Sequence, residues 1–289
     1  MTPAYAWQVE TLQRPRQAHQ ADHTGRSHHA SRTKPAASGL WHGFATVHLD
    51  RAAPTAEGTA MSDDEGIFGP ELYEFLEELE ANNNREWFNE NRERYEEEVR
   101  EPAFDLIRAV RPLLAEISQH MTARDTKVGG SLMRVFRDTR FSADKTPYKT
   151  NVGIQFRHRR ANDVHAPGFY VHLSTESCFF GAGSWMPDRD ALAAYRVAID
   201  ERPEKWIAAR DTCQSDGWRM EDDRLKRAPR DWSIDHPMIS DLKRKSFITV
   251  RDFDPDLALK PEFSSVITAW CSETRPLMVF LCGAVGLDF

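Results

Sequence analysis

Residues 151–158 read Asn-Val-Gly-Ile-Gln-Phe-Arg-His, residues 169–174 read Phe-Tyr-Val-His-Leu-Ser, and residues 178–185 read Cys-Phe-Phe-Gly-Ala-Gly-Ser-Trp. Each run is short, carries aromatic and β-branched residues, and ends at polar or glycine-containing segments, as strands do. The run 131–141, just after Gly129-Gly130, reads as a further strand. Short polar connections favour antiparallel pairing, because a parallel neighbour needs a crossover of a dozen residues or more. Val152, Ile154 and Phe156 alternate with Asn151, Gly153, Gln155 and Arg157, and Phe169, Val171 and Leu173 oppose Tyr170 and His172. One face of the sheet is therefore apolar and needs cover. The opposite face should gather Arg134, Asp138, Arg140, Asn151, Gln155, Tyr170 and His172. Strict alternation leaves Arg137 on the apolar side, where it needs a carboxylate partner or a β-bulge that turns it back.

On either side of these strands the period changes to that of a helix. Leu72, Phe75, Leu76 and Leu79 share one helical face. Asn82-Asn83-Asn84 should end that helix and start another, with Asn83 as N-cap and Glu86 as its capping-box partner. Pro102 suits a first helical turn, and Phe104, Leu106, Ile107, Val110, Leu113, Leu114 and Ile117 form the stripe that follows. Further helices are expected from Pro187 or Asp188 (buried face Leu192, Tyr195, Ile199), from Pro203 (Trp206, Ile207), and over 261–271 and 275–285. Residues 213–237 read as irregular, and 245–251 as a strand. The expected class is α+β: an antiparallel sheet of four to five strands with helices packed mainly on one face, in a single domain over 61–289.

Residues 1–60 follow neither period and hold six of the eleven histidines. Such a stretch buries too little apolar surface to offset its ordering entropy, so it reads as a disordered tail. Met61 opens a Met-Ser-Asp-Asp-Glu run that looks like an ordinary protein start, which makes a mis-assigned start one explanation of the tail. The formal charge of −7 disfavours non-specific duplex binding, so nucleic acid is not the favoured partner, although a local basic site remains open. Cys178, Cys213, Cys271 and Cys282 form no C-x-x-C pair and read as reduced core thiols. No run of about 18 apolar residues suggests a membrane span, and a cytoplasmic location is expected.

The densest chemistry lies in residues 134–151, Arg-Val-Phe-Arg-Asp-Thr-Arg-Phe-Ser-Ala-Asp-Lys-Thr-Pro-Tyr-Lys-Thr-Asn. Arginine presents a planar fork of donors that matches carboxylate or phosphate. The expected ligand contacts are Arg134, Arg137, Arg140, Lys145, Tyr148, Lys149 and Asn151. Asp138, Asp144 and His172 are the candidates for a general base. The competing structural reading has Arg–Asp pairs locking a strand-turn-strand unit, with Pro147-Tyr148 shaping the turn.

This string, R-x-x-R-D-x-R-F-x-x-D-K-x-P-Y-K-x-N, resembles the signature of the family catalogued as domain of unknown function 2461. Asn-Asn-Arg-Glu-Trp-Phe at 83–88, Gly-Phe-Tyr-Val-His-Leu at 168–173, Gly-Ala-Gly-Ser-Trp-Met-Pro at 181–187 and Arg-Pro-Leu-Met at 275–278 fit the same family. The resemblance covers roughly residues 68–287 and implies no activity.

The leading expectation is a domain that binds a small anionic ligand, phosphorylated compounds included, through residues 134–151. One alternative is an enzyme acting on a phosphate or carboxylate compound at the same site. Another is a nucleic-acid or protein interaction module gripping through 145–149 and 157–160. A third is a purely structural motif. His158, His165 and His172 recur at intervals of seven but form no helical ligand pair, so neither a metal nor a cofactor is expected. Gly181-Ala-Gly183 lacks nucleotide-fingerprint spacing and reads as a tight strand exit.

Overall fold

Leu72, Phe75, Leu76 and Leu79 all lie buried along α1 (Glu71–Ala81) in the computed structural model, which describes residues 66–289 apart from Phe141, 161–165 and Asp216. The expectations for residues 1–60 lie outside the described residues. Almost without interruption there follow α2 (Arg85–Glu90), the single turn α3 (Arg92–Arg94), a π-helical segment over Tyr95–Arg100, and α4 (Glu101–Ile117). The N-cap of α2 is Asn84, one residue later than expected: its side chain accepts the Trp87 N–H at 3.0 Å. Asn83 does not cap, because its amide is engaged by residue 148.

The strands are β1 (Met121–Thr122), β2 (Asn151–His158), β3 (Gly168–Ser174) and β4 (Cys178–Ser184). After α5 (Arg189–Glu201) and α6 (Pro203–Thr212) come β5 (Arg219–Met220), α7 (Ile239–Leu242) and β6 (Phe247–Phe253). A 3₁₀ turn at Pro255–Leu259, α8 (Phe263–Glu273) and α9 (Arg275–Ala284) complete the order. The six strands form one antiparallel sheet in the order β1-β2-β3-β4-β6-β5. The class is α+β. The sheet exceeds the expected four to five strands because β1 and β5 are two residues long, too short to leave a period in the sequence.

Residues 131–140 do not form the strand predicted over 131–141. They run beside β2 only briefly: the Met133 N–H reaches the Gly153 carbonyl (2.8 Å), and the Gln155 N–H reaches Ser131 (2.8 Å). The chain then turns to pair with 147–149, through Arg137 N–H to Pro147 O (2.9 Å) and Lys149 N–H to Val135 O (2.7 Å). Only isolated bridges result, Leu132 with Ile154 and Phe136 with Tyr148. Pro147 has no N–H to donate, so the ladder cannot continue through it.

Register places Val152, Ile154, Phe156, Phe169, Val171, Leu173, Cys178, Phe180 and Ala182 on one face. That face meets buried residues of α1, α4 and α8 in the larger core. A second core joins Tyr195 and Ile199 of α5, Trp206 of α6, and Leu277, Phe280 and Leu281 of α9 to Phe247 of β6. At Gly183 (φ +128°) a Cβ would stand 2.0 Å from the Phe247 carbonyl oxygen, so β4 and β6 can approach only because this residue is glycine. Cys178, Cys213, Cys271 and Cys282 are free and buried. No helix among the described residues is long and apolar enough to cross a membrane.

Candidate functional site

Within 134–151 the charged side chains largely satisfy one another. Asp144 accepts from the Thr146 N–H (2.9 Å), pairs with the Arg137 guanidinium, and bonds the Thr146 hydroxyl (3.1 Å). The Thr146 N–H, with Arg137 beside it, holds the Asp144 carboxyl down at about 2. Asp138 accepts from Arg140 Nε (2.8 Å) and forms an ion pair with it, so its carboxyl also falls to about 2. Lys145 donates to the Thr139 carbonyl (2.7 Å). Arg137, placed on the apolar side by alternation, does have the carboxylate that a nearly buried guanidinium requires; its side chain is 12% exposed.

The polar sheet face forms from some of the predicted residues. Asn151, Gln155, Tyr170 and His172 share it by register. The Tyr170 hydroxyl lies 3.1 Å from His172 Nδ1 and also bonds Asn151. The His172 ring stacks on Phe179 with centroids 4.7 Å apart, and burial pushes its pKa down to about 4. Arg134 does not join this face. Met133 does: its sulfur would lie 3.2 Å from a Cβ placed at Gly153. Arg134 is exposed near Asp138, and Arg140 is bound to Asp138. The irregular path of 131–140 breaks the alternation on which that grouping rested.

A cavity of about 290 Å³ opens between the α2-to-π-helix arm and residues 135–148. Along the arm Arg85, Asn89, Arg92, Glu96 and Arg100 recur every three or four residues and line one wall. The other wall is Val135, Phe136, Arg137, Thr139, Pro147 and Tyr148. Glu96 is tied to Arg100, whose guanidinium sits 5.2 Å over the Tyr95 ring. Among the described residues no carboxylate pairs with Arg85 or Arg92, and both are exposed. Phe88 stacks on Tyr148 (centroids 4.0 Å, 17°), and the Phe136 ring follows at 5.4 Å from Tyr148, 57% exposed. A π-helical turn is uncommon and recurs at functional sites; here it carries Tyr95, Glu96 and Arg100 into the wall.

Of the predicted contacts, Arg137 and Tyr148 line this cavity. Arg134, Arg140, Lys145, Lys149 and Asn151 do not, and neither do Asp138, Asp144 or His172. Arg85, Arg92, Arg100 and Phe136 were not among the predicted contacts. Their signal in the sequence is the polar stripe 85-89-92-96-100, hidden because α2 and the π-helix interrupt one regular helical pattern.

A family model described as "Conserved hypothetical protein (DUF2461)" matches residues 71–280. The chain belongs to the DUF2461 family. Both walls of the cavity, the sheet and most of the helices of this DUF2461 chain fall within the matched span. No curated protein and no solved structure matches it. Among the described residues, no group of three or more His, Cys, Asp or Glu side chains could hold a metal ion.

Proposed function

We propose that this DUF2461 chain binds a small anionic ligand, a phosphorylated or carboxylated compound, in the cavity between the α2-to-π-helix arm and residues 135–148. The observation that carries the reading is the contrast between two sets of arginines. Arg137 and Arg140 are neutralised by Asp144 and Asp138, whereas Arg85 and Arg92 face the cavity with no carboxylate partner among the described residues. Two uncompensated guanidiniums on a chain of net charge −7 form a local positive site. The aromatic wall of Tyr148 and Phe136 suits an apolar or planar part of the same ligand. Binding is favoured over turnover because the carboxylate on the wall, Glu96, is held by Arg100. The buried free thiols support a cytoplasmic protein.

The test is thermal unfolding of the full chain against phosphates, nucleotides and carboxylates, beside an Arg85→Gln/Arg92→Gln variant. A ligand of the native state raises the melting temperature by mass action. Both side chains are exposed, so the variant should melt near wild type without ligand and lose the ligand-induced rise. A rise that survives in the variant would place the ligand elsewhere.

A further inference from the structure

Where β1 meets the C-terminal end of β2, a second cleft, of about 260 Å³, is lined by Arg124, Arg157 and Arg159 together with Thr122, Ser131 and Gln155. Among the described residues no carboxylate lines it. β1 pairs with β2 in the register Thr122–Arg157, and the Arg159 N–H to His120 carbonyl bond (2.7 Å) prolongs the ladder. Residues 155, 157 and 159 therefore project to the same side. This is the side that carries Tyr170 and His172 further in.

Three features make the cleft suitable for a phosphate group. Among the described residues, Arg124 and Arg159 have no ion-pair partner. Ser131 is 4% exposed, and its hydroxyl accepts the Arg124 N–H (3.0 Å), which leaves its own proton uncommitted among the described residues. His158 contributes shape rather than charge: its Nδ1 accepts the Arg160 N–H (3.1 Å), so Nε2 carries the proton that reaches the Asp288 carbonyl (3.0 Å). The turn at Gly130 also depends on glycine, since a Cβ there would lie 2.1 Å from the Thr126 carbonyl oxygen.

We infer that this cleft is a second anion site, separate from the first cavity, that takes the terminal phosphate of a small ligand. Its guanidiniums can fork onto phosphate oxygens while the Ser131 hydroxyl donates from below. A small phosphorylated compound is the occupant rather than a nucleic-acid strand, because the chain's overall negative charge opposes a long polyanion.

Calorimetric titration of the full chain with inorganic phosphate, pyrophosphate and a short single-stranded DNA, at constant ionic strength, tests it. Arg124→Gln/Arg159→Gln and Arg85→Gln/Arg92→Gln variants are titrated in parallel, with circular dichroism as the folding control. The expected result is pyrophosphate binding to wild type with a component that weakens at least tenfold in the Arg124/Arg159 variant and persists in the Arg85/Arg92 variant, which loses only what the first cavity binds. Loss only in the Arg85/Arg92 variant would overturn the second site while supporting the first cavity. Binding of DNA without pyrophosphate would overturn the small-ligand assignment in favour of a strand. Absence of pyrophosphate binding to wild type would overturn the inference outright and leave the first cavity to its own test.

Discussion

The side-chain amide of Asn83 brackets the peptide of Tyr148: its Oδ1 accepts the Tyr148 N–H and its Nδ2 donates to the Tyr148 carbonyl, each at 3.0 Å. Sixty-five positions separate the two residues. With the Phe88–Tyr148 stack, this pair of bonds fastens the helical arm to residues 135–148 and so sets the width of the cavity.

Asn83→Ala should therefore damage both fold and site. It strands a peptide N–H and C=O that no other bond serves among the described residues, at a cost of about 1–3 kcal/mol. Urea unfolding would read the loss as a lower midpoint at unchanged slope. Asn83→Asp keeps the acceptor but not the donor and should fall between the two.

Asp144→Asn should be more disruptive than Arg137→Gln. The first takes the Asp144 carboxylate from the nearly buried Arg137 guanidinium; the second leaves only an exposed carboxylate that water can solvate. The expected difference is modest, because Asp144 is itself more than half exposed. A double-mutant cycle measured by denaturant unfolding should return a coupling of the same order.

Acid should weaken the fold in two stages. The folded-state pKa of His172 lies at about 4, below the ordinary 6.5, so between those values the unfolded chain binds the extra proton. Stability then falls as pH drops from 6.5 to 4 and levels off below. Asp138 and Asp144 titrate at about 2 in the fold against 3.8 otherwise, so their contribution, present above 3.8, is lost as pH falls towards 2. In His172→Phe the upper stage should shrink while the lower one remains. Urea midpoints collected from pH 7 to 2 would show both; an upper stage as large in the variant as in wild type would refute the assignment.

Two glycines with positive φ should respond very differently to alanine. Gly183→Ala drives a methyl into the Phe247 carbonyl and should break the β4–β6 pairing, seen as loss of soluble folded protein. Gly129→Ala (φ +70°) meets no atom within 4 Å and should cost about 1–2 kcal/mol, the price of the left-handed backbone alone.

The sequence by itself determined most of the helices, the long strands and the family. The stripe of α1, the alternation in β2 and β3, the reduced thiols and the motif at 134–151 are all written in neighbouring residues, because helical and strand periods are local. The carboxylate partner of Arg137 was also foreseeable, since a guanidinium on an apolar face needs one. Only the tertiary structure decided what those residues face. It turned 131–140 away from β2, engaged Asn83 at residue 148 and left the cap to Asn84, and brought Arg85 and Arg92 against Phe136 and Tyr148. The contacts of Asn83, Arg85 and Arg92 join residues more than forty positions apart. No local period encodes such a contact, and it arises only when the packed core holds the helical arm and the 135–148 segment together.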